Sequence, residues 1–296
     1  MMDNKPTNEF IEFRKNIFDT FVIEEDNIMS ALQIIDVNVT EICTRKCVFC
    51  PRVDKNIYPN RNLHMSLETC EKLANDLAEF EYKNQVVFAG FSEPLANKKI
   101  FDIVKTFRDK LQYNNNISIT TNGDLLKDDT LKKLFDNGLN LLKMSLYDGP
   151  EQEERFLEQF ERCNVTPDQY VIKRFWYGPE EEYGMSGISN RVGMMKLNDR
   201  EVPIRPCYMS FNSSFIDWNG DVLLCTHNWR KDIKFGNIHK NSLKDIWLSE
   251  AAKTMRQHHI LNGRKGKSPC TDCEVHGQVY GADSFKLFKD YYGKED

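Results

Sequence analysis

Cys43-Thr-Arg-Lys-Cys47-Val-Phe-Cys50 places three thiols on one short stretch, and what surrounds it decides the fold. Before it, Leu32–Val39 is an apolar run that reads as a strand. After it, Leu67, Leu73, Leu77 and Phe80 recur at helical spacing. The alternation then continues. Gln85–Ala89 reads as a second strand, followed by a helix through Ile100, Ile103, Val104 and Phe107. Ile117–Thr121 reads as a third, followed by a helix that stops at Asn137-Gly138, a good C-terminal cap. Leu141–Leu146 and Tyr170–Trp176 are the fourth and fifth, separated by a helix through Phe156, Leu157 and Phe160. Strands alternating with helices predict an α/β fold with a parallel sheet under covering helices. Five or six such units make a partial barrel or an open sheet, and periodicity does not choose between them.

The pattern changes after Tyr177. Residues 178–206 are rich in Gly, Pro, Glu and Asn and read as a crossover. Phe211–Cys225 reads as a β-hairpin turning at Asn219-Gly220. Ser242–Leu248 and Ser249–Leu261 read as helices that Gly263 ends. The expected organisation is an N-terminal extension (1–29), a core (30–195), a small second domain (200–275) and a C-terminal tail (276–296).

The 296 residues are 40% hydrophobic and 29% charged, the balance of a globular protein. A net charge of −5 argues against a nucleic-acid partner, and the one dense basic cluster, Arg264-Lys265-Gly266-Lys267, is too short for a binding stripe. No apolar run approaches the ~18 residues of a membrane span. The N-terminus lacks the profile of a signal peptide, so a cytoplasmic protein is expected. In that reducing compartment the nine cysteines are better read as ligands or catalytic groups than as disulfides.

Three closely spaced thiolates suit a cubane whose fourth iron has no protein ligand, while zinc with His64 as a fourth ligand is the plainer alternative. The C-x3-C-x2-C spacing, with Phe49 just before its last cysteine, resembles the radical S-adenosylmethionine (SAM) superfamily. Gly90-Phe-Ser92-Glu93-Pro94 resembles that family's glycine–glutamate–proline motif, with Ser92 where glycine is usual. Thr121-Asn122-Gly123 resembles its ribose-contacting turn, and Ser145 stands where a polar contact to SAM is common. The resemblance covers roughly residues 30–195. It implies a partial (β/α)6 TIM-type barrel, with a [4Fe–4S] cluster on Cys43, Cys47 and Cys50 that binds SAM and generates a 5′-deoxyadenosyl radical. Phe49 would lie near the adenine and Glu93 would receive the amino group. An electron donor such as flavodoxin or ferredoxin is implied as a partner.

Cys207, Cys225, Cys270 and Cys273 form a second set, whose C-x2-C ending also fits a tetrathiolate zinc site. Asp217-Trp-Asn-Gly-Asp-Val-Leu-Leu-Cys225, Gly236-Asn237-Ile238, Ser242-Leu-Lys-Asp-Ile-Trp247 and Pro269-Cys-Thr-Asp-Cys273 resemble the SPASM/twitch domains. Four cysteines match the shorter twitch form, a β-hairpin plus helix holding one auxiliary [4Fe–4S] cluster. A fully ligated cluster has no vacant iron, so its task is moving an electron. The nearest functional likeness is to twitch dehydrogenases that oxidise an amino-cyclitol, which implies a small polar substrate whose secondary alcohol becomes a ketone.

Ser189-Asn190-Arg191-Val192-Gly193 resembles the family's Asn-Arg-Gly-Gly turn. By that likeness Arg191 contacts SAM or a substrate hydroxyl; otherwise it is a surface arginine beside a turn. His227 is a candidate proton acceptor or a hydrogen-bonded structural histidine. Epimerases of this family need a free thiol, whereas Cys70 and Cys163 continue apolar helix stripes and read as core. The N-terminal stretch of about 30 residues is too short for the leader-binding domain of many peptide-modifying relatives. An epimerase, a peptide-modifying enzyme and a non-catalytic zinc or iron–sulfur protein stand as alternatives.

Overall fold

In the computed structural model eight strands share one sheet, in the order β5-β4-β3-β2-β1-β6-β7-β8. They are β1 (Ile34–Val37), β2 (Gln85–Phe88), β3 (Ile117–Thr121), β4 (Leu141–Leu146), β5 (Tyr170–Arg174), β6 (Ser213–Ile216), β7 (Asp221–Leu223) and β8 (Lys234–Asn237). The structure describes residues 13, 16–17, 20–111, 115–175, 189–195, 202, 206–275 and 280–294. Trp176 and most of the 178–206 crossover lie outside the described residues, as does most of the N-terminal extension.

Strands β1 to β5 pair in parallel, each joined to the next through a helix. The helices are α1 (Leu67–Glu79), α2 (Ile100–Lys110), α3 (Asp128–Asp136) and α4 (Pro150–Arg162). All four residues of β2 are buried, as a strand covered on both faces requires. Local chemistry sets the helix ends. Ser66 Oγ accepts from the Thr69 amide at 3.1 Å and starts α1. Gly138 takes a φ of 97° just past α3, which a side chain would oppose. Leu73 and Leu77 of α1, Ile103 and Phe107 of α2, and Val86 and Phe88 of β2 are all buried in one core.

The hairpin turns at Asn219-Gly220 as expected, with Gly220 at φ 83° and β6 antiparallel to β7. Its place is what the sequence does not announce. β6 pairs in parallel with β1, from Ile34↔Ser213 to Val37↔Ile216. The core and the C-terminal segment are thus one mostly parallel α/β sheet, an architecture consistent with a partial barrel. Among the described residues no helix is long and apolar enough to cross a membrane.

After β6–β8 come α6 (Leu243–Trp247) and α7 (Glu250–Asn262), with a single turn, α5 (Met209–Asn212), just before β6. The stretch expected to be a tail holds α8 (Ala282–Tyr292), whose Phe288 is fully buried in the main core. Ser284, Phe288 and Tyr292 recur every four residues and are its buried face. Arg256 of α7 is buried beneath it, 4.0 Å from the Trp247 ring and 4.1 Å from the Phe288 ring. Its guanidinium donates to the carbonyls of Ser210 at 2.8 Å and Trp247 at 2.7 Å, tying the helices together. Phe288→Ala should therefore destabilise the protein by about 3–5 kcal/mol, read as a lower urea midpoint. An unchanged midpoint would show that α8 is not part of the core.

Candidate active site

Cys43, Cys47 and Cys50 lie on the loop leaving β1, which is braced from within and by groups on the loops after β2, β3 and β4. Asn60 brackets the Cys43 backbone, accepting from its amide at 3.0 Å and donating to its carbonyl at 2.9 Å. Arg45, inside the cysteine run, forks onto Asp124 after β3 and Asp148 after β4, with contacts of 2.6 Å to each. Arg52, almost fully buried, donates to the Phe91 carbonyl after β2 and to Asn60 Oδ1 at 2.8 Å. Burial raises the pKa of all three thiols, Cys47 to about 12, and the like charge of neighbouring thiols adds to it for Cys43 and Cys47. Three desolvated thiols facing one another are unfavourable as free thiolates. A bound cation reverses that balance by deprotonating them.

The ends of β2, β3 and β4 open onto the same face, where parallel sheets of this kind place their sites. Gly90 has a φ of 146°, and an added Cβ would lie 2.9 Å from Asn38 Cβ and 3.0 Å from Phe215 Cζ. Glycine alone lets the chain pass there. Ser92 gives its Oγ proton to Asn38 Oδ1 at 2.7 Å, so the residue that replaces the usual glycine has its own partner. Glu93 is 2% exposed. Its carboxylate accepts from Thr121 Oγ1 at 2.7 Å, the Asn122 amide at 2.9 Å and the Leu95 amide at 3.0 Å. Burial outweighs these bonds and lifts its pKa to about 7. Asn122 reaches back to Thr44 Oγ1 at 3.0 Å, inside the cysteine run. Phe49, Tyr147 and Phe175 form a three-ring stack with centroids 5.1–6.0 Å apart, and the Ser145 hydroxyl meets that of Tyr147.

The side chains of Cys207, Cys225, Cys270 and Cys273 line one small cavity together with Val192, His227, His259 and Arg264. Burial raises Cys270 to about 12 and Cys273 to about 11, with the charges of the other cysteines adding to it. Four thiols on one cavity, two of them buried and two half-buried, are the donor set an iron–sulfur cluster takes. Among the described residues no group of three or more His, Cys, Asp or Glu closes tightly enough to hold a single metal ion. The fit therefore rests on convergence and burial, not on a preformed cage.

Residues 189–193 join the two cysteine groups. Arg191, Val192 and Gly193 are all left-handed, with φ of 49°, 53° and 80°. For a β-branched valine this is a true outlier, costing on the order of 1–3 kcal/mol. The surroundings enforce it. Asn190 Nδ2 donates to the Asp272 carbonyl at 2.7 Å, beside Cys273, while Val192 is buried against the second cavity. Arg191 turns the other way. Its guanidinium feels the charges of Cys50, Cys47 and Tyr147, and desolvation lowers its pKa. Its Nε is buried with no hydrogen-bond partner among the described residues. His227 faces the second cavity, with Nδ1 3.2 Å from Ser189 Oγ. A surface arginine is therefore not what this loop presents.

His64 is committed elsewhere, with Nδ1 2.9 Å from Thr40 Oγ1 and Nε2 3.0 Å from Asn62 Oδ1, so it is no fourth ligand to the first cysteine group. Cys70 and Cys163 are buried in the main core, away from both groups. Sequence reasoning missed Arg45, Asp124, Asp148, Tyr147 and Arg264. A charged residue inside the cysteine run was the one local signal for Arg45; its carboxylate partners are 79 and 103 residues away.

Residues 37–171 match the radical SAM superfamily and residues 207–274 match SPASM, an iron–sulfur cluster-binding domain. An S-adenosyl-L-methionine-dependent 2-deoxy-scyllo-inosamine dehydrogenase from Niallia circulans is 23% identical, over 81% of this chain and 92% of its own. A tungsten-containing aldehyde ferredoxin oxidoreductase cofactor-modifying protein from Pyrococcus furiosus is 24% identical, over 82% and 88%. The crystal structure of BtrN in complex with AdoMet and 2-DOIA superposes with a TM-score of 0.71 at 21% identity, covering 84% of this chain and 96% of that one.

The raised pKa of Glu93 gives a signed expectation. A carboxyl that holds its proton more tightly in the native state contributes stability below pH 4.5, lost as pH rises towards 7. Relative to wild type, Glu93→Gln should gain unfolding free energy across that window and level off above it. A difference in urea-unfolding free energy that does not vary with pH would contradict the assignment.

Proposed function

This chain is a radical SAM enzyme with a C-terminal SPASM domain, its cofactors SAM and [4Fe–4S] clusters, and on that footing we propose that it oxidises a secondary alcohol of a small polar molecule, such as a sugar or cyclitol, to a ketone. The observation that carries the reading is the 189–193 loop, which turns Arg191 towards one cysteine group and Val192 towards the other. The dehydrogenase named above, alike over nearly its whole length, supports the reaction type.

Cys43, Cys47 and Cys50 would hold the first cluster, and Cys207, Cys225, Cys270 and Cys273 the auxiliary one. When bound, these groups with SAM supply a 5′-deoxyadenosyl radical and a one-electron acceptor. Turning a carbinol into a ketone removes a hydrogen atom from carbon, a proton from oxygen and one electron. With these supplied, the hydrogen atom would leave as 5′-deoxyadenosine and the electron would pass to the auxiliary group, so only the proton falls to the chain's own residues.

The chain's own residues do the rest. Glu93, held by Thr121 and Asn122, receives the amino group of SAM. The Phe49–Tyr147–Phe175 stack offers an aromatic wall for its adenine, and Gly90, Ser92 and Ser145 shape the surrounding backbone and polar contacts. Arg191, a half-buried cation whose Nε has no hydrogen-bond partner among the described residues, holds the substrate hydroxyl and makes its proton easier to lose. His227, at hydrogen-bond distance from Ser189, takes that proton. An external one-electron donor such as flavodoxin or ferredoxin feeds the first cluster. The burial of Cys70 and Cys163 in the core leaves neither placed to return a hydrogen atom, which disfavours an epimerase.

The test is an anaerobic assay of the reduced, cluster-loaded enzyme with SAM and a panel of hydroxyl-bearing sugars and cyclitols. One ketone per 5′-deoxyadenosine is expected, and Arg191→Met should lower the rate by about 100-fold or more. Deoxyadenosine without ketone, or solvent deuterium incorporated at a substrate carbon, would overturn the reading.

A further inference from the structure

The wall of the four-cysteine cavity carries a cation that the proposed reaction does not use. Arg264 belongs to the dense basic cluster at 264–267, yet it is 2% exposed and lines the cavity with Cys207, Cys225, Cys270 and Cys273. One end of its guanidinium is fixed: Nη1 donates to the Cys273 carbonyl at 2.7 Å and to the Val275 carbonyl. The other donors, Nε and Nη2, are buried and have no hydrogen-bond partner among the described residues. A second side chain repeats the pattern independently. His259, 1% exposed, sets Nδ1 3.0 Å from Ser210 Oγ and has its Nε2 buried on the same cavity with no hydrogen-bond partner among the described residues.

Buried N–H donors left unmade are costly, so Nε and Nη2 of Arg264 require acceptors. With the cysteine quartet loaded, the acceptors at hand are sulfurs. We propose that Arg264 donates hydrogen bonds to sulfur atoms of the auxiliary cluster and holds its reduction potential up, as a positioning residue for the electron-accepting step. The reason is electrostatic. Reduction adds one negative charge to a cluster already carrying four thiolates, in a cavity with little water to screen it. A fixed cation and N–H donors stabilise the reduced form more than the oxidised one. An auxiliary cluster that must take an electron needs that bias. The inference rests on the reading that the quartet binds an iron–sulfur cluster, and not on which substrate is oxidised.

The full-length chain carrying Cys43/Cys47/Cys50→Ala isolates the auxiliary cluster for an anaerobic redox titration followed by electron paramagnetic resonance. In that background Arg264→Gln should weaken reduction at least tenfold, a midpoint about 59 mV more negative for one electron. Arg264→Lys, which keeps the charge, should recover most of the shift. Equal midpoints for Arg264→Gln and its parent, at equal iron content, would overturn the proposal.

Should Arg264→Gln fail to hold iron, the parent chain decides the matter. With 15N-labelled arginine, its reduced cluster should show a 15N hyperfine coupling in pulsed spectra, and absence of coupling overturns the proposal. Zinc in place of iron overturns both this inference and the electron-accepting reading. A shifted midpoint in an enzyme that makes no ketone removes the dehydrogenase reading alone and upholds this one.

Discussion

The backbone ladder between β1 and β6 is the constraint on which the rest of the molecule depends. These strands are about 180 residues apart in sequence, yet they run in parallel register over four pairs. The pairing makes the C-terminal hairpin part of the core sheet instead of a separate lobe. Charge then seals the seam. Lys231 bonds Glu41 Oε1 at 2.5 Å and Asp217 Oδ2 at 2.6 Å, while Arg52 lies 3.7 Å from Glu41. Two carboxylates and two cations thus balance in a largely buried cluster, next to the first cysteine loop. Removing any one would leave an uncompensated buried charge, the costly way to break such a group. The seam is therefore braced beside the first cysteine loop.

Bracing at the seam gives meaning to the strained loop at 189–193. Consecutive left-handed residues, one of them a valine, are unfavourable anywhere, and they persist only where the surroundings over-determine them. Here Asn190 and Val192 anchor the loop to the second cavity and Arg191 is driven back towards the first. On the proposed function, a substrate held at Arg191 would lie beside the first cysteine group, on a loop whose Val192 lines the second cavity.

Much of the fold was legible because it is written in local periodicity. The five core strands and their helices follow from apolar spacing, and the hairpin from Asn219-Gly220. The cysteine runs and the turns after β2 and β3 were legible as well, since each motif is contiguous. What the sequence hid is non-local. Nothing near Ser213 says that it will pair with Ile34, and nothing near Asp124 or Asp148 marks it as the counter-ion of Arg45. Arg264 was passed over because a short basic run carries no local mark of the cavity that one of its members lines. Residues 282–292 could have been read as a helix, since Ser284, Phe288 and Tyr292 share a face, but their position after the last cysteine pair made them look like a tail.

The central claim is that the second cysteine group holds an iron–sulfur cluster independent of the first. Metal analysis and Mössbauer spectroscopy of anaerobically purified chain carrying Cys43/Cys47/Cys50→Ala test it most directly. The account predicts about four irons per chain with the spectrum of a cubane. One zinc per chain and no iron would contradict it, leaving the second domain structural and the oxidation without its electron acceptor.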